Sequence, residues 1–174
     1  MKDNLTYRFL FCLTISVLVG CSSKQTNMEI IQEALNNGKI YLKFSQDFKD
    51  RTLVKYAHPK IIQHYGSAAK YIESRKPDKD ISNITLRVYP KAKYYKLTNV
   101  HVVKFRVYGS AIDRKTSIRI SMDYDLLMLR SFKSKVWYAI DTPLFFHHKG
   151  LKKKIFGNES NLIEVKKNNL KFSY

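Results

Sequence analysis

Asp123 and Asp125 stand two residues apart in a stretch that alternates apolar and polar side chains. In a strand both carboxylates fall on one face, roughly 7 Å apart. Such a pair could divide acid and base roles; on an outer face the same residues would pair with Arg119 and Arg106. Five histidines, His58, His64, His101, His147 and His148, are the other groups able to titrate near neutrality. Zinc wants a closed ligand set. His58 and His64 have five residues between them, but no cysteine or third ligand stands near, so no metal and no cofactor are expected. His147-His148, beside a lysine run, reads as a surface feature that meets acidic headgroups when protonated. There is no G-x-S-x-G elbow and no glycine-rich phosphate loop. Arg87, Lys104, Arg106 and Arg119 take the polar phase of strand after strand. With Tyr89 and Tyr108 they could form one aromatic and basic sheet surface, either solvated or offered to a partner.

The thiol of Cys21 closes an apolar run from Phe9 to Gly20, with Lys2 and Arg8 ahead of it. The run has the length of a signal-peptide core and falls short of the roughly 20 apolar residues that span a bilayer. Leu18-Val19-Gly20-Cys21 resembles the lipobox of bacterial lipoproteins. The resemblance covers residues 1–21 and implies cleavage before Cys21, lipid on its thiol and an acyl chain such as palmitate on its new amine. Each buried CH₂ contributes about 0.8 kcal/mol, so several chains hold far more firmly than one. Ser22, where an aspartate would retain the protein at the inner membrane, resembles the outer-membrane sorting signal of a Gram-negative host. The alternative is an ordinary secretory signal with an incidental cysteine.

Removing residues 1–20 leaves 154, enough for one domain with its own core. The organisation expected is a signal peptide at 1–20, a polar tether at 21–27, a domain at 28–142 and a basic extension at 143–174. Cys12 leaves with the signal, so no disulfide can form although export leads to an oxidising compartment. The formal net charge is +18, and losing Lys2, Asp3 and Arg8 leaves +17. A basic chain invites a nucleic-acid reading, but an exported protein meets little nucleic acid. Anionic lipids, acidic glycans or an acidic protein are the partners expected, drawn by the long-range field.

Asn27 is a candidate cap for a helix carrying Ile30, Ile31, Ala34 and Leu35, interrupted at Asn36-Asn37-Gly38. A second helical stretch carries Tyr41, Phe44 and Phe48, then Leu53 and Val54. Pro59 opens a third with Ile61 and Ile62, ended by Gly66, and residues 68–72 add another turn or two. Residues 76–80 read as a loop. After residue 82 the period changes to two: Ile84, Leu86, Val88; Val103, Phe105, Val107; Ile118, Ile120, Met122, Tyr124; Val136, Tyr138, Ile140. Turns are expected at Tyr95, Gly109 to Lys115 and Ser131 to Lys135. Helices followed by strands predict an α+β fold, helices packed on one face of a curved antiparallel sheet. The tail is lysine-rich but carries Ile155, Phe156, Leu162 and Ile163, too apolar for plain disorder. It should add an edge strand or pack as an extension.

Tyr56-Ala57-His58-Pro59 and Trp137-Tyr138-Ala139-Ile140-Asp141, in this order of elements, resemble the nuclear transport factor 2-like family over residues 28–142. The resemblance implies a cone of helices against a bent sheet, with a cavity used for catalysis in some members and only for binding in others. Its enzymes line the cone with Tyr and Asp or His; the candidates here are Tyr56, Tyr124, Tyr138, His101 and Asp141. Tyr65-Gly66-Ser67 and the basic tail depart from the family pattern.

The leading expectation is a non-enzymatic envelope lipoprotein. It would be lipid-anchored in the cell membrane through Cys21 and bind a protein partner or an anionic component through Arg87, Lys104, Arg106 and Arg119. The alternatives are a cavity enzyme acting on a small hydrophobic molecule, and an immunity or secretion accessory protein with an acidic partner.

Overall fold

A computed structural model describes residues 25–47, 50–77, 79–166 and 169–173. The expected signal peptide, Cys21, Ser22, Phe48, Asp78 and Lys167 lie outside the described residues. The first helix, α1 (Asn27–Gln46), starts one residue earlier than a cap at Asn27 would place it. Thr26 is the cap: its hydroxyl accepts from the Glu29 N–H, and the Glu29 carboxylate accepts from the Thr26 N–H at 2.7 Å. This reciprocal box satisfies two otherwise unpaired donors.

Asn36-Asn37-Gly38 does not interrupt the helix. Ile30, Ala34, Leu35, Gly38, Tyr41, Leu42 and Ser45 form one buried stripe that runs straight through it. Gly38 sits where the helix lies on the sheet, close over Leu126 and Met128. Burial of the stripe outweighs the helical cost of one glycine, about 1 kcal/mol. A Cβ added there would meet Leu126 at 3.5 Å and Met128 at 3.7 Å, ordinary contact distances. Gly38→Ala is therefore expected to raise stability by about 0.5–1 kcal/mol in urea unfolding; a lower midpoint would contradict so open a contact.

Three short helices follow: α2 (Asp50–Tyr56), α3 (Pro59–Tyr65) and α4 (Ala68–Arg75). As expected, Pro59 takes the first turn of α3, and Gly66 ends it in the left-handed region at φ 83°. The sheet comprises β1 (Ile81–Lys96), β2 (Val100–Asp113), β3 (Arg119–Ser131), β4 (Tyr138–Asp141) and β5 (Asn169–Ser173), all antiparallel. β4 pairs with residues 126–129 of β3 and β5 with residues 119–123, so the two share one edge of β3 end to end. The fold class is α+β, with helices against a curved sheet. β1 carries register shifts between Ser82 and Thr85 and between Val88 and Ala92, which bend and twist it.

Turns differ from expectation at two places. Tyr95 lies within β1 opposite Val102, and the chain reverses at residues 97–99. Gly109 lies inside β2 opposite Leu86 and Met122, and β2 continues to Asp113. A Cβ at Gly109 would come within 2.8 Å of Met122 and 2.9 Å of Leu86, so glycine there makes room for side chains rather than for a turn.

Both faces of the sheet are covered. Under α1 lie Val103, Phe105, Val107, Tyr124, Leu126, Met128, Trp137 and Ala139. On the outer face Val102, Leu127, Leu129 and Ile140 pack with Ile61, Tyr71, Leu151, Ile155, Phe156 and Ile163. The expectation that Val136, Tyr138 and Ile140 make the core face of the last strand is corrected. Val136 is exposed, Trp137 and Ala139 face α1, and Tyr138 and Ile140 face outward beneath the tail. That tail forms α5 (Pro143–His147), α6 (Leu151–Phe156) and a 3₁₀ turn (Gly157–Leu162) before β5. It supplies both an edge strand and part of the outer core. The Lys60 ammonium donates to the Lys154 and Ile155 carbonyls at 2.8 and 3.2 Å, tying α3 to the end of α6.

Candidate functional site

Three polar assemblies arise where the two layers meet, and only one lies in the interior. Asp141, at the end of β4, shares the α1 side with its register partner Leu126. Its Oδ2 accepts from the Tyr41 hydroxyl at 2.5 Å and from the Arg75 guanidinium at 2.6 Å. Arg75 also donates to the Tyr41 oxygen at 3.0 Å, which closes a triangle joining α1, α4 and β4. Burial foremost pushes the Tyr41 and Tyr124 phenols well above the usual range, and the neighbouring Asp141 charge adds to it. Burial alone would lower the Arg75 guanidinium, but Tyr41 and Asp141 outweigh it and hold it cationic. The phenols stay protonated and Arg75 stays cationic, so the triangle is locked as a structural joint.

Of the five cone candidates, Tyr124 and Asp141 come together here, and Tyr56 lies beside Tyr41 with ring centroids 6.1 Å apart and planes tilted by 56°. Tyr138 lies on the opposite face against His58, and His101 lies at the far end of the sheet. Tyr41 and Arg75 were not read from the sequence as a polar pair with Asp141. A hundred residues separate Tyr41 from Asp141, and 12 tyrosines hide the one that matters.

The second assembly is an outer-face groove of about 500 Å³ where β1 bends between Val88 and Ala92. Lys91, Lys93, Lys104, Arg106 and Lys166 line it with Asp123 and Asp125. The register places Arg87, Lys104 and Arg106 on the face away from α1, as alternation predicts. Arg106 is largely spent there: it bridges Asp123 at 2.5 Å and Asp125 at 3.0 Å. Lys104 stands 3.7 Å from Asp125 and donates to the Glu164 carbonyl at 2.6 Å. The carboxylates take Arg106 and Lys104 rather than Arg119, which stands opposite Ser173 of β5. Asp125 is buried because the tail crosses it, the Lys166 N–H donating to Oδ2 at 3.0 Å. The acid–base pair read from Asp123 and Asp125 is thus a clasp between strands and tail. Sequence reading did not single out Lys91 and Lys93, although they keep the outer phase of Arg87 through the irregular step in β1, where Leu86, Val88, Ala92 and Tyr94 all stay on the α1 side. Lys166 arrives from the tail, which only the fold brings near.

The third assembly is an open groove of about 790 Å³ between the first turn of α1 and the sheet end. Arg130 donates to Glu33 at 2.6 Å and to Gln25 at 2.6 Å, and lies 4.8 Å over the Trp137 ring. Burial would raise the Glu33 carboxyl, but Gln25, Trp137 and Arg130 more than offset it and bring it below the usual range. His101 meets the Tyr94 hydroxyl at 2.7 Å, and burial followed by the Arg130 charge lowers its pKa.

The remaining histidines do not converge as a metal set. His64 faces His148 at 4.6 Å between ring centroids, and the Tyr65 hydroxyl meets His148 Nε2 at 3.0 Å. Among the described residues no group of three or more His, Cys, Asp or Glu could hold a metal ion. His58 caps α3, its Nδ1 accepting from the Lys60 N–H at 3.2 Å. Burial, then the Lys60 charge, lower its pKa to about 4, against about 6.5 in an unfolded chain. The fold thus favours neutral His58. Its contribution is intact above about pH 6.5 and is lost as pH falls from there through about 4. NMR titration should find His58 protonating near pH 4, with unfolding free energy declining across that window; an ordinary pKa would contradict the half-buried cap.

No family model, curated protein or solved structure matches the chain.

Proposed function

We propose that this protein is an envelope lipoprotein, anchored in the membrane through Cys21, whose domain binds an acidic protein partner or anionic envelope component without catalysing a reaction. The observation that carries the reading is the outer-face groove, where five cations converge on two carboxylates already held by Arg106. Glu164 pairs with Lys93 at the exposed rim, 3.1 Å away, and the positive charge that remains in excess is left for a ligand. The interior polar groups favour binding over a cavity enzyme, since Tyr41, Arg75 and Asp141 are engaged with one another. Among the described residues no helix is long and apolar enough to cross a membrane, and a lipid anchor needs none.

Lys104 and Arg106 serve the clasp, so the exposed cations Lys91, Lys93 and Lys166 are the ones that meet the ligand. Such contacts are salt-sensitive, because the Debye length shrinks to about 3 Å at 1 M salt. On heparin, an acidic glycan probe, the triple variant Lys91→Gln/Lys93→Gln/Lys166→Gln should elute at distinctly lower salt than the parent. Replacing Lys39, Lys43 and Lys55 with Gln removes equal charge from the helical side and should shift elution far less. Equal shifts would mean that net charge alone, and not the groove, holds the ligand.

A further inference from the structure

The end of the domain that carries the α1 N-terminus brings exposed apolar and basic side chains together. Phe132 and Val136, in the loop between β3 and β4, are 42% and 49% exposed, and Met28 in the first turn of α1 is 75% exposed. Lys133 and Lys135 lie in the same loop, and Lys96 comes from the end of β1. Phe132 and Lys135 line one groove with Asn27 and Lys96, and the Phe132 N–H donates to the Asn99 carbonyl, so loop, helix start and β1–β2 turn are adjacent. The acids at this end are engaged: Glu29 closes the cap and Glu33 holds Arg130 and Gln25. This end thus presents exposed apolar side chains and lysine-bearing segments together, with Glu29 and Glu33 occupied.

Cys21 lies four residues before Gln25, which the Arg130 guanidinium fixes at this same end. Four extended residues span at most about 14 Å. We infer that this end is a membrane-docking surface: Met28, Phe132 and Val136 enter the headgroup boundary while Lys96, Lys133 and Lys135 meet anionic lipid. The inference rests on the proposed lipidation of Cys21, which fixes the end nearest the bilayer. Apolar insertion combined with basic attraction is how interfacial segments bind anionic membranes. Docking holds the domain upright. The basic groove then stands four to six residues along β2, about 13–20 Å up the sheet and facing away from α1.

Both hydrophobic clusters lie between Ile30 and Val165, so the chain from Cys21 carries the whole described fold, with Cys21 its only thiol. That chain can be coupled by its thiol to maleimide-headgroup lipid in phosphatidylcholine vesicles with or without phosphatidylglycerol. The only native tryptophan, Trp137, is buried beneath Arg130 and gives a constant background. With brominated acyl chains, a Phe132→Trp variant should be quenched several-fold more than a Tyr108→Trp variant on the outer face, and more strongly when phosphatidylglycerol is present. Quenching no greater at 132 than at 108, or indifferent to phosphatidylglycerol, would overturn the docking surface. Because coupling is chemical, failure of cells to lipidate Cys21 would strike the anchor reading and leave this result standing.

Discussion

Asp141→Ala is expected to lower the unfolding free energy by about 3–5 kcal/mol, the usual cost of removing one partner of a buried ion pair. The carboxylate is 5% exposed and answers both the Arg75 guanidinium and the Tyr41 hydroxyl. Without it, Arg75 keeps its charge at the junction of α1, α4 and β4 with only the Tyr41 oxygen as acceptor. Domains are stable by about 5–15 kcal/mol in all, so the variant should sit near the edge of folding. Tyr41→Phe removes one hydroxyl and leaves the ion pair, so it should cost no more than about 1–3 kcal/mol. Urea unfolding of both variants measures the difference. An Asp141→Ala loss below about 1 kcal/mol would mean that the triangle holds nothing together.

Asp125→Ala should act next most strongly and more locally. Its carboxylate is the common partner of Arg106, Lys104 and the Lys166 N–H, so its removal leaves two cations facing each other and frees the tail. A loss of about 2–4 kcal/mol is expected. Hydrogen exchange should report where it falls: amides of residues 151–166 should open well before those of α1, because α1 packs on the other face. Uniform acceleration through both layers would contradict a clasp confined to the tail.

The α+β order, the strand faces of β2 and the limits of α3 were legible because each rests on local pattern. Val103, Phe105 and Val107 do face α1, and Pro59 and Gly66 do bound their helix. The errors fall where tertiary packing overrides local preference. Gly38 looks like a stop but is a contact point under Leu126, and Gly109 looks like a turn but clears Met122. Trp137 and Ile140 sit on opposite faces, and both are buried because α1 covers one side and the tail returns to cover the other. Of the basic face, the register of Arg87, Lys104 and Arg106 was readable from alternation. The pairing of Arg106 with Asp123 and Asp125 was readable too; what Lys104 does there was not, because Glu164 arrives from 60 residues away. Arg130 was missed for a related reason: it sits in an apolar run and is held by Glu33 and Gln25, which only the fold brings near.

The proposed anchor would set the orientation of everything else, so the most direct test is metabolic labelling with palmitate of the full chain and its Cys21→Ala variant. The parent should carry label and fractionate with membranes, and the variant should carry none and accumulate as unprocessed or soluble precursor. Label that persists on the Cys21→Ala chain would contradict the lipoprotein reading.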